Sequence, residues 1–239
     1  MAPLKEVIFE LHWSGSIDNS GAPVDDGFDL AQGKLAEKLK STYPVHKKLF
    51  PDGMPIRIFG APMHQYWKGE FQWPVIQHGC GMLAVNEVEL GYEWEPTYKP
   101  TVLNAIEMLI SSYEDPIKFN KAKLQYVDAW DVSSEDAAAF VEFNLRTAIK
   151  SNYPMVGKQK SFNLIQIFEL EDGSEMQLTI ATGTNNQNQQ PAVIWTTTIE
   201  KKGIFKQEEM TSWLELAHTA ASEMFKKMLN PDFYASLDR

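Results

Sequence analysis

Phe162-Asn163-Leu164-Ile165-Gln166-Ile167-Phe168-Glu169-Leu170-Glu171-Asp172-Gly173-Ser174-Glu175-Met176-Gln177-Leu178-Thr179-Ile180-Ala181-Thr182 decides the fold class of this chain. Apolar and polar residues alternate from Phe162 to Leu170 and again from Met176 to Thr182, as in half-buried strands. Asp172-Gly173 between the two runs is hairpin chemistry, because that pair accepts the backbone geometry of a tight turn. The stretch predicts an antiparallel hairpin. A mainly helical backbone from Lys160 to Ile199 would contradict it.

Downstream, Gly183 to Gln190 is polar, and Asn185 to Gln190 reads as a mobile hairpin tip. Ala192 to Ile199 reads as a third strand. Met210, Trp213, Leu214, Ala217, Ala221, Met224, Phe225 and Met228 form the stripe of a long C-terminal helix. Upstream, Leu124, Tyr126, Asp128 and Trp130 share one face of a strand. Ser133 or Ser134, with Asp136, caps a helix whose stripe runs Ala137, Phe140, Val141, Leu145, Ala148 and Ile149 and closes at Tyr153-Pro154.

The first half has the same grammar. Val7, Phe9, Leu11 and Trp13 alternate along a strand, and a Ser/Gly/Asp/Pro loop follows from Ser14 to about Gly27. Phe28, Ala31, Leu35 and Leu39 repeat at helical spacing, with Asp29 near the cap and Tyr43-Pro44 as the stop. Strands are expected around Ile56 to Ile58, across Phe71, Trp73 and Val75, and from Met82 to Asn86. Pro74 assigns the middle one to an edge or a bulge. Gly91 to Pro96 turns into a helix striped by Val102, Ala105, Ile106, Leu109, Ile110 and Tyr113. The chain therefore reads as α+β, with two similar β-α-β-β-(β)-α halves, residues 1–116 and 117–239, that share one core. Their antiparallel sheets carry helices packed on one face and join edge to edge.

Composition excludes several function classes. Of 239 residues, 44 % are apolar and 23 % charged, which is ordinary for a folded chain. The net charge of −10 argues against nucleic acid and anionic membrane surfaces as partners, since both need Lys and Arg. Cys80 is the single cysteine, so no internal disulfide forms, as suits the cytoplasm. No apolar segment long enough to cross a membrane and no signal-peptide pattern is expected. No phosphate loop, dinucleotide fingerprint, nucleophile elbow or kinase signature occurs.

Five positions or clusters carry the site candidates. His78-Gly79-Cys80-Gly81 offers a nucleophilic thiol beside an imidazole, against the plainer reading of a bend with a small buried cysteine. Asp128 lies on an apolar strand face, where a carboxylate needs a partner or a cavity. Trp130 and Asp131 follow it at the strand end as candidate ligand- or partner-binding residues; paired carboxylates there can hold a cation or do acid–base work, against the plainer reading of a partly solvated strand end before a helix cap. Tyr92, Trp94 and Tyr98, interleaved with Glu93 and Glu95, read either as an aromatic platform for a ligand or partner or as a loop folded onto the core. The five histidines fall at no metal-ligand spacing, so no metal and no cofactor is expected. His218, four residues after Leu214, reads as a hydrogen-bonded core or boundary histidine.

Glu6-Val7-Ile8-Phe9-Glu10, Gln77-His78-Gly79-Cys80-Gly81-Met82-Leu83-Ala84-Val85-Asn86, Tyr92-Glu93-Trp94 and Leu216-Ala217-His218 with Phe225 resemble the motifs of a sporadically distributed, uncharacterised bacterial family of about this length. The strand from Leu124 to Trp130 departs from it, with Asp128 near the position of the family's Asn. Scattered occurrence implies mobile genes, such as defence islands or small biosynthetic clusters. The expected function is a non-catalytic binding or accessory protein that holds a protein, peptide or small ligand, with a homo-oligomer compatible. The alternative is an enzyme of unrecognised class that uses Cys80 with His78, or Asp128.

Overall fold

The structure, a computed structural model, describes residues 3–50, 58–88, 91–149, 157, 159–186 and 188–237. In chain order its elements are β1 (Leu4–Trp13), β2 (Ser16–Ile17), β3 (Pro23–Val24), α1 (Phe28–Leu39), β4 (Val45–Lys48), β5 (His64–Gly69), β6 (Gln72–Gly79) and β7 (Met82–Val88). A π-helical turn, Trp94–Tyr98, leads into α2 (Lys99–Ile110). Then come β8 (Phe119–Asp131), α3 (Ala137–Asn144), β9 (Asn163–Glu169), β10 (Glu175–Asn185), β11 (Gln190–Phe205), α4 (Met210–Met228) and α5 (Pro231–Ser236). The class is α+β on antiparallel sheet, as the alternation patterns predict. No helix among the described residues is long and apolar enough to cross a membrane.

Two compact units divide the chain. The larger takes Val7–Leu124 and Glu200–Leu214; the smaller takes Met1–Glu6, Gln125–Ile199 and Glu215–Arg239. The predicted division at 116/117 falls between α2 and β8.

In the larger unit the strand order is β4-β5-β6-β7-β1-β8. Val7, Phe9, Leu11 and Trp13 of β1 are all buried, as their period of two requires. Phe28, Ala31, Leu35 and Leu39 of α1 are buried, as are Val102, Ala105, Ile106 and Leu109 of α2. Pro74 does not lie on an edge strand, since β6 is bonded by β5 and β7. It sits where the ladder is broken: the register with β5 shifts between Trp67 and Gly69, and the β7 register begins at Val75. A residue without an N–H is tolerated there because no ladder bond is asked of it. Phe71 stands outside the strand, at φ 55° in the β5–β6 turn. Of the strand expected around Ile56 to Ile58, Ile56 and Arg57 lie outside the described residues, and Ile58 belongs to no strand. The pattern reading missed β4 and β5 altogether.

In the smaller unit the order is β8-β11-β10-β9. The deciding hairpin is present: Glu175↔Glu169 through Ala181↔Asn163 pair antiparallel across a turn closed by Leu170 and Ser174. The core gathers Ala137, Val141, Leu145, Leu178, Ile180, Val193, Trp195 and Leu229. The helix expected to run through Ile149 stops at Asn144. Leu145 turns extended and bridges to Leu229, while Arg146 N donates to Met228 O and Asn230 N to Asn144 O. Pairing with the end of α4 supplies backbone partners that a further helical turn would forgo. The Tyr153-Pro154 stop lies outside the described residues. The Asn/Gln tip is tied down: Asn185 and Asn188 each donate to Asp131, at 2.8 and 2.6 Å.

Candidate functional site

The polar loop after β1 builds the most organised polar centre of the larger unit. Asp18 Oδ1 accepts from Ser20 N, Ser20 Oγ and Ala22 N, which turns the chain back on itself so that β2 and β3 pair. That ribbon delivers Asp25 to the start of α1, where its carbonyl accepts from Phe28 N. Asp26 beside it accepts from Ser16 Oγ at 2.5 Å.

Asp25 is buried, and three elements converge on one of its oxygens. Trp13 Nε1 from the end of β1 (3.1 Å), Gly81 N from the β6–β7 turn (3.1 Å) and the Tyr113 hydroxyl beyond α2 (2.7 Å) all donate to Oδ2. Burial, then the hydrogen bond and charge of Asp25, hold the Tyr113 hydroxyl far above the ordinary phenol range, so it remains a donor. Oδ1 has no hydrogen bond among the described residues. Asp25 lines a cavity of about 630 Å³ with Trp13, Asp26, Tyr113, Glu114, Asp115 and Lys118. It also lines a second cavity, of about 350 Å³, with Asp18, Asp26, Phe59 and Cys80.

The turn that supplies Gly81 is the sequence's His78-Gly79-Cys80-Gly81. Gly79 pairs with Met82, so Cys80 and Gly81 are the two turn residues, with Gly81 at φ +69°. Gly60 N donates to Cys80 O and Trp13 N to Gly81 O, clamping the tip from both sides. Cys80 Sγ lies 3.8 Å from Met63 Sδ. His78 is wholly buried between the rings of Phe28 (5.0 Å) and Trp13 (6.2 Å), and among the described residues neither ring nitrogen has a hydrogen-bond partner. Burial, reinforced by nearby His64, lowers it to about 3. No hydrogen bond joins the His78 imidazole to the Cys80 thiol. His78 is instead the cross-strand neighbour of His64, which is 2.9 Å from His46. His12 meets Glu10 at 3.2 Å. Among the described residues no group of three such side chains comes together in a metal-holding arrangement.

The remaining candidates separate. Trp94 and Tyr98 are buried, and the Tyr98 hydroxyl donates to Val85 O (2.8 Å); Tyr92 is half-buried against Tyr98. This aromatic turn is spent mainly on the core. In the smaller unit Asp128 is buried with no hydrogen bond among the described residues, and desolvation, opposed by the charge of Lys5, raises its carboxyl to about 7. Its strand neighbour Tyr126 meets His218 Nδ1 at 2.7 Å, a boundary histidine with a partner. Trp130 stacks on Phe225 and packs near Phe140 and Phe233, while its Nε1 has no partner among the described residues. Asp131 anchors the Asn tip.

Sequence reading missed Asp25. Trp13 and Tyr113 were legible only as apolar stripe residues, and nothing in their spacing reveals that a carboxylate 12 and 88 positions away binds both. The one local signal was the pair Asp25-Asp26 immediately before the helix opening at Gly27-Phe28. No protein-family model matches this chain, and no curated protein is similar to it.

Proposed function

We propose that this chain is a non-catalytic binding or accessory protein whose larger unit takes a cationic group, from a protein, peptide or small ligand, beside Asp25. One observation carries the reading. A buried carboxylate has one oxygen saturated by three donors and the other without a hydrogen bond among the described residues, in the wall of a cavity that also carries Asp26, Glu114 and Asp115. An ammonium or guanidinium supplies the absent donor and offsets the clustered negative charge. Lys118 lines the cavity too, and Lys34 pairs with Glu114 at 3.1 Å across the exposed rim. The same acidity repels nucleic acid.

A second reading, an enzyme of unrecognised class, draws on Asp128, because a carboxyl near 7 suits general acid–base work. Three finer features belong to the proposal. Duplication of a β-α-β-β-(β)-α unit with helices on one sheet face draws its support from a shared broad order, β1, α1, β4-β5-β6-β7, α2 and then β8, α3, β9-β10-β11, α4, the first passage also carrying the β2–β3 ribbon. A cytoplasmic setting is supported by the single cysteine. Kinship with the sporadic bacterial family is supported by the motifs around His78 and His218.

Calorimetric titration with Lys- and Arg-containing peptides and with a polyamine, at low and at high salt, tests the binding reading. Binding should weaken with salt, and Asp115→Lys should weaken it about ten-fold without loss of fold. Absence of binding by every cationic probe, or binding indifferent to Asp25→Asn and Asp115→Lys together, would refute it.

A further inference from the structure

Among the described residues β9 ends its unit's sheet, with β10 as its one neighbouring strand. Two bonds fix which of its backbone groups face that neighbour. Thr182 N donates to Phe162 O (3.1 Å) and Leu170 N to Ser174 O (2.8 Å), both continuing the register in which Ile180 opposes Leu164. Hydrogen-bonded and non-hydrogen-bonded pairs alternate along an antiparallel ladder. Leu164, Gln166 and Phe168 therefore bond to β10, while the N–H and C=O groups of Asn163, Ile165, Ile167 and Glu169 point outward. Such a row is a template for another strand.

Edge strands are usually blunted by shortness, lysine, proline or a bulge. The terminal strand of the larger unit obeys this: β4 is four residues long and holds Lys47 and Lys48. β9 does not. It runs seven residues in unbroken register without Lys, Arg, Pro or Gly, and Ile165 and Ile167 are 51 % and 60 % exposed.

Its side chains are also ordered as a mirror about Gln166: isoleucine on each side, then Leu164 and Phe168, then Asn163 and Glu169. We infer that β9 pairs antiparallel with β9 of a second copy, about a two-fold axis through Gln166. In this register Ile165 opposes the partner's Ile167, both with outward backbone groups, and Gln166 opposes the partner's Gln166 in a non-hydrogen-bonded pair. The four outward residues exchange about eight backbone hydrogen bonds. Four isoleucines cluster on one face, and Leu164 meets the partner's Phe168 on the other. Glu169, the one charge in β9, opposes the partner's Asn163, which keeps like charges apart in a chain of net charge −10. Moving the axis to Ile165 or Ile167 sets isoleucine against asparagine or glutamate. A mirror pattern matters only to an isologous contact, and this selects a second copy over a foreign peptide.

Single-cysteine cross-linking of the full chain tests both the contact and its register. The native Cys80 is buried, and opposed Cα atoms of a non-hydrogen-bonded pair lie about 4.5 Å apart, within disulfide reach. Gln166→Cys should give a covalent dimer under mild oxidation about ten-fold faster than Leu164→Cys or Phe168→Cys, since each of these opposes the other kind of residue. Sedimentation equilibrium should find a reversible dimer of the parent chain. Its dissociation constant should rise about ten-fold or more in Ile165→Lys, and likewise in Ile167→Pro, which removes an outward donor while sparing the β10 ladder. A parent chain monomeric up to about 200 µM, or equal cross-linking through Leu164→Cys, overturns the inference.

Discussion

Asp128 is a residue whose chemistry is set by its environment. Burial on the inner face of β8, opposed by the charge of Lys5, moves its carboxyl from 3.8 to about 7. In the unfolded chain the group ionises near 3.8, and in the folded chain near 7, so between these values the native state holds the extra proton. The stabilisation is complete below pH 3.8 and is lost as pH rises through 7, a swing on the order of 4 kcal/mol. Asp128→Asn, uncharged at every pH, should be more stable than the parent by about 2–4 kcal/mol at pH 8 and nearly equal to it at pH 4. Urea denaturation at both pH values measures this; a deficit at pH 8 would mean that the ionised carboxylate has a partner worth more than its desolvation. Glu10 behaves oppositely. Burial acts to raise it, but His12 and Lys123, the latter at 2.7 Å, bring it down to about 2. A carboxylate with two close cationic or donor partners stays charged under the same kind of cover that keeps an unbonded one protonated.

At the scale of the element, the β6–β7 hairpin is the piece that positions the candidate site. Its two glycines serve different needs. A Cβ on Gly79 would lie 1.9 Å from the Ala61 carbonyl oxygen, which is backbone and cannot turn aside. A Cβ on Gly81 would lie 2.3 Å from the Phe59 ring, which can rotate, although the φ of +69° remains unfavourable for alanine. Gly79→Ala should therefore cost about 3 kcal/mol or more and Gly81→Ala about 2 kcal/mol, in that order, by urea denaturation. The hairpin itself was foreseen only in part. Met82 to Asn86 read correctly as a strand, and His78 to Gly81 as either a reactive centre or a bend. β5 escaped notice because Tyr66 and Trp67, adjacent in sequence, are both buried, which breaks the alternation by which a strand is recognised. α3 was overextended because Leu145 continues its apolar stripe, whereas the backbone at that position pairs with Leu229.

On the scale of the whole molecule, the compact units interleave along the chain, so a cut at the midpoint of the sequence is not a cut between units. The larger unit draws Phe119, Ala122 and Leu124 from β8, Phe205 from the end of β11, and Met210, Trp213 and Leu214 from the start of α4, all buried. A fragment of residues 1–116 lacks every one of these core side chains. It should show neither cooperative thermal unfolding nor dispersed amide resonances; a folded fragment would mean that the first half closes its own core. Alternation and helical stripes alone determined the α+β class, the hairpin at Asp172-Gly173 and the inward faces of β1, α1, α2 and β8, because each depends on local periodicity and the burial it demands. Where Trp13, Gly81 and Tyr113 meet Asp25, and which backbone edge β9 leaves open, was decided by tertiary structure. Hydrogen bonds between residues tens of positions apart, and the registry of a ladder, depend on distances in space that no period in the chain encodes.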